Sequence, residues 1–400
     1  MAFSPTDDAA RRRAERAARR AALAKGAAPD ADSAVVPASP DAAVPAGTKP
    51  AKVKKKKGPI REWLDAVVFA VVVMLFVRTF FMDQFRIPTP SMEKSLLVGD
   101  FLFVSKVHYG ARTPISLGIP FTKMHVRGLE LPGTRLPGFS EVQRGDAVVF
   151  NWPGMPDTPN IYPVDRRDFY IKRIVGLPGE TLRIDSSVVS VDGRVVPEVE
   201  TAQHLTLAYK RDAGQVMPEA RVRELGGALV QETPEVSVVN GTQAVQDAVA
   251  RLPYVERVER YRAPRFGQMG YQNGLFPAEK NWTVHDYGPV TIPKAGTTVT
   301  FTPENVSYLV PTIDRYEGRT AERRPDGTVA IDGQVTPTYT FRQDYYFAMG
   351  DNRDDSQDSR FFGFVQHDHV VGKAVLVYLS FDTSGRFPVP RLGRIGTVVR

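Results

Sequence analysis

The sequence predicts a mostly β protein. An antiparallel β-sheet core carries an inserted β-rich subdomain and follows a single N-terminal transmembrane helix. Three observations lead there. Short segments rich in β-branched and aromatic residues recur from residue 84 onward. The 400 residues include 32 Gly and 32 Pro, punctuation that suits turns and sheet edges better than a helical bundle. One uninterrupted apolar run, Ala66 to Val77, stands apart from this pattern.

The first element is a tail. Residues 1–60 hold 13 Lys/Arg against 6 Asp/Glu, and the rest of the chain holds 39 of each. The net charge of +7 therefore belongs to the tail, which argues against a basic nucleic-acid groove in the folded part. Residues 1–50 are Ala, Pro and charge with almost nothing large to bury, so disorder is expected. The tail ends in the basic block Lys54, Lys55, Lys56 and Lys57.

The apolar run comes next. With its flanks it extends from Trp63 to Met82, broken only by Asp65, Arg78 and Thr79. At 1.5 Å per residue these twenty residues span about 30 Å, the hydrocarbon thickness of a bilayer. A cleaved signal peptide is disfavoured, because about sixty residues precede the run and no small-x-small site follows it. An anchor at 61–83 keeps the Lys block cytoplasmic and exports everything after residue 83.

Strands are expected at AVVF 147–150, FYIKRIV 169–175, TLRI 181–184, VVSV 188–191, TTVTFT 297–302 and KAVLVYLSF 373–381. One segment, Thr242 to Arg262, contains the helix-capable TQAVQDAVARL with Thr242 as cap. The stretch 185–340 carries few chemical motifs and is expected to be the β-rich insertion between core segments 84–184 and 341–400. The chain has no cysteine, which excludes a Cys nucleophile, disulfides, Cys-zinc sites and Fe–S clusters.

Three segments offer chemistry. In IPTPSMEKSLLVGD, Ile87 to Asp100, Pro88 and Pro90 stiffen the backbone around Thr89 and Ser91. Ser91 is either a nucleophile or the start of a helical turn. In DFYIKRIVGLPGE, Lys172 sits inside an apolar strand, with Tyr170 and Ile174 on its face and Ile171, Arg173 and Val175 on the other. It is either an edge-strand charge facing water or a desolvated lysine whose lowered pKa lets it act as a base. In MGDNRDDSQDSRFFGFV, Met349 to Val365, a calcium loop fails because Arg353 and Ser356 stand where an oxygen ligand and a glycine are needed. A solvated turn or a polar network remains. None of the six histidines neighbours a serine in a recognisable nucleophile motif, and His367 with His369 suits a polar turn better than a metal.

Together these segments, with RGDAVVF at 144–150 and the ending LSFD at 379–382 and RLGRIG at 391–396, resemble bacterial type I signal peptidase, the leader peptidase family. The resemblance implies a membrane-anchored serine endopeptidase that removes signal peptides from exported preproteins, with no cofactor and no metal. It implies Ser91 as nucleophile, Lys172 as general base, and the Ser91 N–H with the Thr89 hydroxyl as oxyanion hole. Ser356 would hold the Lys172 amine, while Asp351 with Arg173 and Asp358 with Arg360 brace the site. Phe85, Ile87, Pro88 and Met92 would line substrate pockets, with Leu96, Val149, Tyr170 and Ile171. Met92 would also dip into the bilayer. The expected location is the bacterial inner membrane, single-pass, with the catalytic part on the exported side. The sequence departs from relatives in carrying Thr89 where serine is common and Asp355 where asparagine is common. Two rivals are a non-catalytic anchored β module and a Ser/Lys self-cleaving regulator; the first leaves Ser91 and Lys172 unexplained, and the anchor counts against the second.

Overall fold

The computed structural model describes residues 58–119, 122–155, 161–262 and 274–399. The expected tail falls almost entirely outside them. Helix α1, Pro59–Phe80, covers the apolar run, and none of its residues is buried. A 22-residue helix with no buried residue is long and apolar enough to cross a bilayer.

The central sheet has nine strands among the described residues. They are β1 (Met82–Arg86), β2 (Asp100–Ser105), β3 (Ala147–Asn151), β4 (Phe169–Gly176), β5 (Tyr345–Met349), β6 (Val365–Gln366), β7 (Val370–Asp382), β8 (Val389–Pro390) and β9 (Thr397–Val398). The main path runs β1-β2-β7-β3-β4-β5-β6, with β8 and β9 paired to β7. Every pair is antiparallel.

The apolar run of β3 is continuous because both its faces are covered. Val148 and Phe150 enter one core cluster, Ala147 and Val149 another. The sheet also curls. Three strands separate β1 from β4, about 19 Å in a flat sheet, yet the rings of Phe85 and Phe169 lie 4.9 Å apart. The curl leaves two edges without a strand partner among the described residues: the outer side of β1, and β4 before Arg173, where its ladder to β5 begins.

The expected strands form. Thr181–Asp185 pairs with Val188–Val191 and with Tyr287–Thr291, a second sheet that packs over β5. It spans the expected boundary at 184/185. A third sheet, ordered Ala228–Glu232, Val236–Thr242, Gln203–Lys210, Val255–Arg260, carries the helix Gln243–Ala250. That helix is shorter than the helix-capable stretch. Thr242 occupies its N-cap position, but its hydroxyl makes no capping bond. An 11-residue helix, Val306–Tyr316, was not expected in a stretch read as β-rich, and it carries Pro311 inside it. Burial of Val306, Tyr308, Leu309, Val310 and Ile313 in the shared core outweighs the lost donor.

Candidate active site

Ser91 lies in a 3-10 turn, Pro90–Met92, with Thr89 at its N-cap position in extended backbone. Beneath the turn, Met92 and Leu96 are fully buried with Ile87, Leu102 and Val149. Two expectations are corrected here. Met92 has no exposed surface, so it cannot reach lipid. Ile87, Met92, Leu96 and Val149 form the floor under the Ser91 turn rather than an open pocket wall, because the turn needs an apolar underside to stay in place. Phe85, Tyr170 and Ile171 are half-buried and Pro88 is exposed, so these four remain accessible.

Lys172 is not an edge charge facing water: it is 3% exposed. Its Nζ donates to Ser91 Oγ at 2.6 Å and to the Ile171 carbonyl at 3.0 Å, and lies 5.5 Å from the Tyr170 ring centre. Burial pushes the amine down to about 8, against the pull of Asp358, Asp351 and Asp355. The Thr89 hydroxyl is 3.5 Å from Ser91 Oγ.

The loop after β5 closes over the turn. Arg173 grips Asp351 with Nε at 2.7 Å and Nη2 at 2.6 Å, both side chains out of water. Arg360 does the same to Asp358, with Nε at 2.9 Å and Nη2 at 2.8 Å, and Asp358 accepts the Gly350 N–H at 3.1 Å. Paired cations and hydrogen bonds hold the Asp358 carboxyl below its ordinary range despite burial. A side chain at Gly350 would meet the Ser91 carbonyl at 2.5 Å and Ser356 Oγ at 2.2 Å, so only glycine fits there. The Ser356 hydroxyl departs from expectation: it is buried, makes no hydrogen bond to Lys172, and has no partner among the described residues. The amine takes the Ile171 carbonyl instead, which is nearer to hand on its own strand.

Sequence reasoning missed several residues. Ser95 donates to Asp351, pairs with the Thr201 hydroxyl, and has its carbonyl held by Arg394 at 3.0 Å. Asn352 donates its N–H to the Ser91 carbonyl at 3.1 Å. Only the fourfold spacing from Ser91 hinted at Ser95; nothing local pointed to Asn352.

Histidine chemistry also needs correction, because the fold makes a serine–histidine pair that the sequence does not. Ser187 Oγ and His285 Nδ1 are 2.8 Å apart, with Asp354 Oδ1 3.6 Å from Nε2. All three are buried around a cavity of about 10 Å³, room for a water and not for a substrate. His367 to His369 is a 3-10 turn, and no metal-ligating cluster of three occurs among the described residues.

A serine and a desolvated lysine sharing one hydrogen bond, with a second hydroxyl beside them, suit acyl transfer without histidine. The sequence pattern of the family described as signal peptidase, peptidase S26, matches residues 60–246 and 294–379. A signal peptidase I of Buchnera aphidicola is 26% identical over 83% of this chain and 80% of its own length. One of Haemophilus influenzae is 28% identical over 80% of this chain and 70% of its own, and one of Pseudomonas aeruginosa 24% over 82% and 75%. The matched segments contain the Ser91 turn, β4 with Lys172, and the loop from Gly350 to Arg360, and on that coverage the chain belongs to the peptidase S26 family of signal peptidases.

Proposed function

We propose that the protein removes N-terminal signal peptides from exported preproteins with a Ser91–Lys172 dyad, while α1 anchors it in the inner membrane with the sheet on the exported side. The observation that carries the dyad is the 2.6 Å contact between a 3%-exposed lysine amine and a serine hydroxyl. Neutral Lys172 takes the Ser91 proton as Oγ attacks the scissile carbonyl. The oxyanion is met by the Ser91 N–H and the Thr89 hydroxyl. The Lys172 ammonium then gives its proton to the leaving amine; the neutral amine next takes a proton from the water that attacks the acyl-enzyme and returns it to Ser91 Oγ as the acyl group leaves.

The two free strand edges support the substrate mode. An extended peptide can add main-chain hydrogen bonds to β1, to residues 169–172, or to both. Phe85, Pro88, Tyr170 and Ile171 then offer shallow apolar surface to small side chains. Support for the anchor is the uncovered apolar surface of α1 and the two-stranded ribbon beside its end, Ser116–Gly118 paired with His125–Glu130, in and around which Leu117, Ile119, Met124 and Val126 are at least 50% exposed. A cavity of about 600 Å³ is lined by both Leu75 and Arg78 of α1 and Leu117 and Lys123 of the ribbon.

The test is cleavage of a secretory precursor with an Ala-x-Ala site by the purified full chain in detergent. Wild type cuts at that site, and Ser91→Ala and Lys172→Ala, still folded, do not. Equal cutting by Lys172→Ala overturns the dyad; no cutting by wild type overturns the activity.

A further inference from the structure

The geometry points to Asn352 as a positioning residue for the nucleophile turn, and to Asn240, in the inserted region, as the residue that orients it. This rests on the Ser91 nucleophile proposed above and gives the inserted region a part in catalysis.

Asn352 touches the turn twice. Its backbone N–H donates to the Ser91 carbonyl at 3.1 Å, and its Nδ2 donates to the Pro90 carbonyl at 3.3 Å. Pro90 and Ser91 are thus held by their carbonyls from one 3%-exposed side. The amide can face only one way. A carbonyl only accepts, so Nδ2 must face Pro90, which leaves Oδ1 outward. Asn240 Nδ2 donates to that oxygen at 3.2 Å. Asn240 lies on Val236–Thr242, the strand next to Gln203–Lys210 in the third sheet.

The same sheet clamps the backbone of Asn352 from both sides. Gln203 N–H donates to the Asp351 carbonyl at 2.8 Å, and Arg353 N–H donates to the Gln203 carbonyl at 3.0 Å. The Asp354 carboxylate accepts the Leu205 N–H at 2.7 Å. The chain of contacts therefore runs from the inserted sheet through Asn240 and Asn352 to the peptide that carries Ser91. An error of about 1 Å in a reacting group costs about a hundredfold in rate, so a fixed carbonyl pair is worth catalysis as well as stability.

The experiment compares wild type, Asn352→Ala, Asn240→Ala, Asn240→Asp and the double alanine variant on the precursor, using the full chain. Asn352→Ala lowers kcat about tenfold to a hundredfold, with KM within about twofold and the pH midpoint of kcat/KM unmoved, since nothing in it touches Lys172. Asn240→Ala lowers kcat less, and the double variant is no worse than Asn352→Ala alone. Asn240→Asp is nearly isosteric but presents only acceptors, so it draws Nδ2 away from Pro90 and falls below Asn240→Ala. Multiplying effects in the double variant, or Asn240→Asp as active as wild type, overturns the relay. The Asn240 variants keep the test decisive if Asn352→Ala does not fold. Activity in a Ser91→Ala control instead overturns the nucleophile assignment, and the relay falls with it.

Discussion

Replacing Lys172 with methionine removes the proposed base while keeping an unbranched side chain in its slot, and it separates chemistry from stability. The folded amine sits at about 8 and the unfolded one at 10.5. Between those values the unfolded chain binds more protons, so stability rises with pH there, and below pH 8 the full cost is carried. At 1.36 kcal/mol per pH unit that cost is about 3 kcal/mol. Methionine carries no such cost but leaves the Ser91 hydroxyl without its 2.6 Å partner, worth about 1 kcal/mol. Lys172→Met is therefore more stable than wild type by about 2 kcal/mol at pH 7, and the sign reverses near pH 10, where the lysine cost has fallen to about 1 kcal/mol. Denaturant titrations of the two proteins at pH 7 and 11, followed by circular dichroism, measure this. On the proposed mechanism the same amine also sets the rate. About 9% of it is neutral at pH 7 and half at pH 8, so wild-type kcat/KM rises about tenfold per pH unit below 7 and levels near pH 9. A methionine variant less stable at pH 7, or a flat rate profile from pH 6 to 9, refutes a desolvated lysine base.

Other outcomes follow from the same geometry. Thr89→Val keeps the shape and deletes the hydroxyl 3.5 Å from Ser91 Oγ; kcat falls about 10²–10³-fold with KM unchanged, and Thr89→Ser restores it, as steady-state kinetics will show. Gly350→Ala forces a β-carbon to 2.5 Å from the Ser91 carbonyl, so labelling of Ser91 by a serine-directed reagent slows by about a hundredfold or more. Arg173→Met strands the Asp351 carboxylate with no exposed surface and costs about 3–5 kcal/mol in urea unfolding, while Arg173→Met with Asp351→Leu recovers most of it.

What the sequence carried and what it did not divide along contact range. Strand β4 is legible because β-branched and aromatic residues surround Lys172, and a polar network with Asp358 against Arg360 is legible from polar residues trapped between two apolar strands, whereas Asp351 against Arg173 came only with the family resemblance. The depth of Met92 is not legible. Its neighbours Leu102 and Val149 come from other strands, and no local pattern states which side of a short turn will face them. The same holds for Asn352, whose partners Ser91 and Asn240 lie far from it in the chain. The helix Val306–Tyr316 was missed inside a stretch read as β-rich: the local penalty of about 3 kcal/mol at Pro311 is outweighed by burial that only the tertiary fold supplies. Ser187 and His285 meet for the same long-range reason, beside a cavity too small for a substrate.

The junction between α1 and β1 has a consequence for what the protein can cut. Only Phe81 separates them, and it is tied down: its N–H donates to the Val77 carbonyl at 2.9 Å and its carbonyl accepts the Lys106 N–H at 2.8 Å. Lys106 Nζ reaches back to the Arg78 carbonyl at 2.6 Å, and Arg78 pairs with Asp83 at 2.7 Å. These contacts brace the helix end against the sheet. With α1 crossing the bilayer as proposed, Ser91 stands at a set height over the lipid, and the junction works as a ruler. A signal peptide is then measured as well as read: its own apolar segment fixes where it leaves the membrane, and only a bond that lies one ruler length further along arrives at the serine.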